Sequence, residues 1–209
     1  MQAARRLVAR TGRTQDPAQD GGPRGGVHRQ EPVLAGWPRR ILQGALAGAV
    51  ATAPMTALME AGFRRLPRGQ RYPLPPRLIV DEVADETGRR TGTPLADDEG
   101  RRTGLTLLAH FGYGAASGAL FGVMPPRDGW AANAGRGALF GCAVWLWSYL
   151  GLLPALRLLA PATQHPAQRT ALMVGAHLVW GAATGSTSLL IRRLAGRAAL
   201  AAFRRDPPA

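Results

Sequence analysis

The chain has no lysine. All 26 basic residues of the 209 are arginine, set against 13 acidic residues for a formal net charge of +13. Together with the abundance of alanine, this all-arginine usage points to a GC-rich bacterial genome. Cysteine is nearly absent too. Cys142 is the single one, which excludes an intrachain disulfide, and its place inside an apolar run makes it a structural thiol. Also missing are a phosphate-binding loop, a dinucleotide fingerprint, a metalloprotease helix and a nucleophile elbow, so nothing in the sequence marks an enzyme.

The most informative scarcity is local. Charge is almost missing from residues 41–63, 103–124, 137–156 and 170–191, where Glu60 is the one exception. Each run is about twenty residues long, and at ~1.5 Å per residue a helix of that length spans the ~30 Å hydrocarbon core of a bilayer. The mean hydropathy of −0.07 hides these runs by averaging them with polar tails and loops. A soluble helical domain is the competing reading, since the runs are rich in Ala and Gly and the first holds Gln43, Thr52 and Thr56. The third run, GALFGCAVWLWSYLGLLPAL, argues against water because no face of it offers a solvated charge. The expected fold is therefore all-α: a four-span transmembrane helix bundle occupying residues 37–195, with Pro54 kinking the first span.

The arginines fit this picture better than they fit nucleic-acid binding. Arg39/Arg40, Arg64/Arg65, Arg101/Arg102 and Arg192/Arg193 stand at the ends of apolar runs, where basic residues anchor helices against anionic headgroups. They do not decide orientation. Arg39, Arg40, Arg127, Arg136, Arg192, Arg193 and Arg197 fall on one side, and Arg64, Arg65, Arg68, Arg101, Arg102, Arg157 and Arg169 on the other. Residues 1–36, rich in Gly, Pro, Gln and Arg, read as a disordered tail, and residues 196–209 as a basic C-terminal tail. No apolar core follows Arg5 and Arg6 closely enough for a secretory signal, and the run beginning at Ile41 is long enough to remain as an anchor. In the polar loop 64–102, Pro75 and Pro76 precede an expected short helix from Arg77 to Thr87 that Gly88 stops. Leu78, Ile79, Val80 and Val83 would rest on the membrane or the bundle. Asp81, Glu82, Asp85 and Glu86 would face water as a solvated face rather than a metal site.

A nonamer occurs twice, as HFGYGAASG from His110 and HLVWGAATG from His177. GALAG (44–48) likewise matches GALFG (137–141). The order predicts two tandem helical hairpins related by a pseudo-twofold axis along the membrane normal, a parallel kind of internal repeat. On a helix, His110, Tyr113, Gly114, Ser117, Gly118 and Gly122 share one stripe, and His177, Trp180, Gly181, Thr184 and Gly185 another. With Gly44, Gly48, Gly137 and Gly141, these small residues at four-residue spacing make packing faces, because backbones in lipid associate by close approach.

His110, His177 and Glu60 form the candidate intramembrane polar site. An ionisable side chain inside a span is a functional candidate by default. Three roles stay open for the histidines: structural polar bonds between helices, a proton or ion path with Glu60, and bis-histidine ligation of a b-type haem across the axis. The expected function is a non-catalytic membrane component or partner-binding bundle, with a small channel or transporter-like protein and a haem protein as the alternatives. The bilayer is the expected partner, together with a second copy or another membrane protein, and nucleic acid is not one.

The segments GALAGAVATAPM, ADETG, HFGYGAASGALFG, GRGALFGCAVWLW and AHLVWGAATG, in that order, resemble uncharacterised multi-span bacterial inner-membrane proteins of the YagU-like and related unknown-function type. The resemblance covers roughly residues 40–192, and the PPR of residues 75–77 partly echoes a proline-rich loop of that group. It implies an inner-membrane location and an unassigned activity, and it transfers no catalytic residue.

Overall fold

A computed structural model describes residues 36–92 and 98–205; the expected disordered tail, apart from Gly36, lies outside the described residues, as do 93–97 and 206–209. The described chain is all helical. The helices are α1 (Trp37–Phe63), α2 (Pro75–Thr91), α3 (Glu99–Val123), α4 (Trp130–Leu146), a short α5 (Leu153–Ala155) and α6 (Ala167–Arg205). A π-helical turn, Trp147–Leu152, joins α4 to α5 so that Trp130–Ala155 runs as one segment. That segment and α1 are long and apolar enough to cross a membrane. The other two expected spans lie in α3 and α6, which have the length, 25 and 39 residues, but are less apolar.

Two antiparallel pairs make the bundle, α1 with α3 and α4 with α6, and α1 also packs along α6. Glycine sets both pair distances. A Cβ placed on Gly44 or Gly48 would lie inside 3.0 Å of the backbone of Gly118 or Gly114, and one on Gly137 or Gly141 inside 3.0 Å of that of Gly181 or His177. Gly122 and Gly185 meet the backbones of Arg40 and Asn133 in the same way. The expected packing stripes thus face one another. Their register differs from the sequence match, however. Gly114 and Gly181 hold the same place in the two nonamers, yet Gly114 faces Gly48 whereas Gly181 faces Gly137. GALAG and GALFG are therefore offset by one helical turn, ~6 Å along the axis. One turn on, the contacts differ accordingly: Thr52 Oγ1 abuts Gly114 in the first pair, and Gly141 meets the backbone of His177 in the second.

The interior combines small and polar residues with Met55, Met59, Phe121, Tyr149, Met173 and Trp180, while many leucines point outward. Ala47 and Ala176 are 0% exposed and Thr184 is 0% exposed, whereas Leu108 and Leu139 are 71% and 73% exposed. Polar side chains inside bond locally or across the bundle. Thr52, Thr56 and Thr184 each return a hydroxyl to the carbonyl four residues back, at 2.8–2.9 Å. Trp180 Nε1 donates to the Gly48 carbonyl at 3.0 Å, joining α6 to α1, and Tyr113 OH and Ser148 Oγ lie 2.7 Å apart between α3 and the π turn. The aromatic at the fourth position of each nonamer therefore reaches across to the other helix pair.

Three local expectations are corrected. First, α2 runs through Gly88 to Thr91 and ends at Gly92, whose φ of 69° is left-handed. Gly88 accepts the cap bond from the Gly92 N–H instead of stopping the helix, and Arg89 and Arg90 hold the last turn by pairing with Glu86. Second, the C-terminal tail is helical through Arg205 as a continuation of α6. Third, Asp81 and Asp85 are not a free solvated face. Arg102 bonds both, at 3.0 and 3.1 Å, and Arg77 bonds Asp81 at 2.9 Å.

The glycine contacts generate a stability prediction. Gly181→Ala forces backbones apart and should destabilise the protein by ~1–3 kcal/mol. Gly112→Ala, with nothing within 4 Å of the added methyl, should be neutral or stabilising by up to ~1 kcal/mol. Equilibrium unfolding in mixed micelles compares the two; equal effects would mean that close approach is not what Gly181 provides.

Candidate functional site: a histidine-lined cavity beneath α2

Where the glycine stripes end, the helices separate and enclose a cavity of about 120 Å³. His110 and His177 both line it, with Tyr113, Ser148, Tyr149 and Trp180 among the other walls. The sequence expectation placed the two histidines on inward stripes of α3 and α6, and the structure brings them to one cavity. Glu60 does not reach it. It lines a wider outer groove of about 320 Å³ with Arg77, Thr103 and Thr106, and His110 lines both spaces.

The two imidazoles are held differently. His177 Nδ1 is 2.8 Å from the Met173 carbonyl. A carbonyl only accepts, so Nδ1 carries the hydrogen and Nε2 of the neutral ring is an acceptor. The Tyr149 ring meets His177 edge-on at 5.6 Å. His110 Nε2 is buried and has no protein partner. An unsatisfied buried polar atom costs ~1–3 kcal/mol, which makes this nitrogen the reactive feature of the cavity wall.

Sequence reasoning missed three elements of the site. The π turn is one: its extra residue turns Ser148 and Tyr149 inward while Trp147 stays 67% exposed. Pro154, two residues beyond, has no N–H for the carbonyl four residues back, and the wider turn is how the helix accommodates it. The second is the cavity under the lid α2, a helix whose apolar face the sequence did place on the membrane or the bundle. Pro76 and Ile79 of α2 line the cavity, and Val80 and Ala84 are buried beneath that helix. The third is Arg169, expected only as a helix-end charge. It is buried, bonds the carbonyls of Gln70, Tyr72 and Pro73 at 3.0, 2.9 and 2.5 Å, and stacks 3.7 Å over the Tyr72 ring. It thereby fixes the segment that leads into α2. The only signal for it in the sequence was an arginine one residue ahead of an apolar run.

The lid is tied at its outer edge by ion pairs. Arg77 holds Glu99 through two bonds of 2.7 Å, and Arg102 reaches back from α3 to Asp81 and Asp85. The Arg77 hydrogen bond holds the Glu99 carboxyl below its ordinary value, and Arg89 does the same for Glu86.

A bis-histidine haem does not fit this packing. At about 120 Å³ the cavity is smaller than the ~300–1,000 Å³ of ordinary small-molecule pockets, and a porphyrin exceeds it. Among the described residues no three His, Cys, Asp or Glu side chains converge as a metal site. No family model, curated protein or solved structure matches the chain.

The lid ion pairs predict a pH dependence. A carboxylate whose folded pKa is depressed contributes stability above its unfolded value of ~4.3, and that contribution is lost as pH falls through the folded value. Hydrogen exchange of α2, corrected for intrinsic rates, should therefore show less protection at pH 3 than at pH 6. Glu99→Gln should show reduced protection already at pH 6. Protection of α2 that is the same at both pH values would contradict a lid held by these pairs.

Proposed function

We propose that the chain is a multi-pass integral membrane protein whose four long helices cross the bilayer, and that its role is non-catalytic binding of a small, mostly apolar molecule bearing one hydroxyl or carbonyl. The membrane half rests on the apolar side chains left on the outside of the bundle. Only 33% of the most apolar window of α1 and 28% of that of Trp130–Ala155 are buried, less than the core helix of a soluble domain has, which supports this reading. Leu42, Leu46, Leu108, Leu120, Leu139 and Leu190 project outward from all four helices, as lipid-facing residues do. A bacterial inner-membrane location and kinship with the YagU-like group are proposed on composition and on the quoted motifs. The tandem-hairpin repeat is proposed on the nonamer and on the matching reach of Tyr113 and Trp180. A second copy or another membrane protein would meet the bundle on the same outward leucines.

The binding half rests on one observation: His110 Nε2 is buried and unpartnered in the wall of a cavity where several other polar groups are engaged. Tyr113 bonds Ser148, His177 bonds Met173 and Trp180 bonds Gly48. None of these pairs couples a nucleophile to a base, which favours binding over catalysis. A second reading, a proton or ion path, is favoured by His110 lining both the cavity and the Glu60 groove. Against it, the Gly48 and Gly114 contact and the Trp180 bond close the far end.

The test uses 4-fluorophenol and fluorine NMR on the protein in nanodiscs. Saturable line broadening beyond that of empty nanodiscs is expected, and Ser117→Leu, which fills the cavity, should abolish it while the circular dichroism stays unchanged. Broadening no greater than in empty nanodiscs would overturn the binding role. A proton flux in proteoliposomes that His110→Phe removes would favour the path instead.

A further inference from the structure

At the opposite end of the bundle, α1 begins, α3 ends, α4 begins and α6 leaves its partners. Arg40, Arg136 and Arg192 line one concavity there, with Gln43, Phe121 and Ser188. Two of the guanidinium groups are pinned from behind. Arg136 Nη1 donates to the Pro125 carbonyl, its Nη2 lies 3.4 Å from Asn133 Oδ1, and the group stands 5.0 Å from the Phe121 ring centre. Arg192 Nη2 donates to the Arg127 carbonyl at 3.2 Å. Asn133 is itself fixed, donating to the carbonyls of Arg127 and Gly129 at 2.7 Å. The arginines are thus positioned by carbonyls, which do not neutralise them.

Their remaining donors are unused. Arg40 Nε, Arg136 Nε and Ser188 Oγ are buried and have no protein partner, and Ser188 as a residue is only 7% exposed. Among the described residues, none of the three arginines has a carboxylate within ion-pairing distance. Asp128 acts on Arg192 only through space. This is the reverse of the lid end, where Arg77 and Arg102 are matched by acids. Three like charges brought together with unused N–H and O–H donors repel one another unless an anion with several acceptor oxygens joins them.

We propose that Arg40, Arg136 and Arg192 form a binding site for a phosphate group, with Ser188 donating to its innermost oxygen. Arginine suits it because the planar guanidinium matches phosphate oxygens in pairs. The inner space, about 20 Å³, takes one oxygen-sized group, since a single water needs ~10–15 Å³ by that measure. The rest of the anion stays outside, at the level where the helices end. That geometry serves the headgroup phosphate of an anionic lipid and free phosphate alike. The site itself rests on the packing of the bundle, and only its lipid source rests on the membrane reading above.

The test uses the full chain in a neutral detergent, with phosphatidylglycerol and inorganic phosphate as separate probes. Native mass spectrometry and the thermal midpoint are the readouts. The expected result is one retained phosphatidylglycerol and a raised midpoint, with affinity at least about tenfold lower in Arg40→Gln/Arg192→Gln, as loss of charged hydrogen bonds predicts. Ser188→Ala, a change too small to unfold the bundle, should weaken binding by a smaller factor. Phosphate raising the midpoint without phosphatidylglycerol being retained would assign the site to a soluble anion and leave the fluorophenol result untouched. Failure of both probes, or binding unchanged in both variants, would overturn the proposal.

Discussion

The carbonyl of Gly48 is where three of the four long helices meet. It accepts the Thr52 hydroxyl from its own helix and the Trp180 indole from α6, and the backbone beside it lies against Gly114 and Gly118 of α3. A side chain at Gly48 would collide with the backbones of Gly114 and Gly118, so the helices could not approach this closely. On the proposed membrane reading, hydrophobicity offers no preference for a partner inside lipid, so close approach and hydrogen bonds between helices have to hold the bundle together. The Gly137 and Gly181 contact does the same for α4 and α6 without an indole to seal it.

The cavity follows from where this close packing stops. Toward the α2 end, beyond Gly48 on α1 and Gly114 on α3, larger side chains including Met55, Met59 and His110 line the space between the helices. The π turn then supplies Ser148 and Tyr149 to the opening, and Arg169 ties down the segment that carries α2 over it. The two ends of the bundle consequently differ in chemistry. One is covered by a helix whose acids and arginines are paired, and the other exposes arginines whose charge has no counterpart. The even division of arginine between the two sides conceals this difference.

Much of the architecture was legible because it is periodic. Glycine at four-residue intervals marks the faces of α1, α3, α4 and α6 in the sequence as in the structure, and two histidines on those faces implied a shared interior position. What was not legible depends on contacts distant in sequence or on non-periodic backbone. The one-turn offset between GALAG and GALFG is a matter of which glycine meets which across the helix pair, and a motif match carries no information on that. Gly88 looked like a helix stop because glycine is common there, but only Gly92 adopts the left-handed conformation that ends α2. Arg169 gave no sign that its partners lie about a hundred residues earlier.

The central claim is that all four long helices present their leucines to lipid. Spin labels at Leu46, Leu108, Leu139 and Leu190, one on each helix, in a Cys142→Ser background in nanodiscs test it most directly. Power saturation with oxygen and with a water-soluble nickel chelate is the measurement. The account predicts that all four labels are relaxed more by oxygen than by nickel, and that a label at Glu82 on the lid behaves oppositely. Nickel access at Leu108 or Leu190 equal to that at Glu82 would contradict it, and would leave α1 and Trp130–Ala155 as the only helices in the membrane.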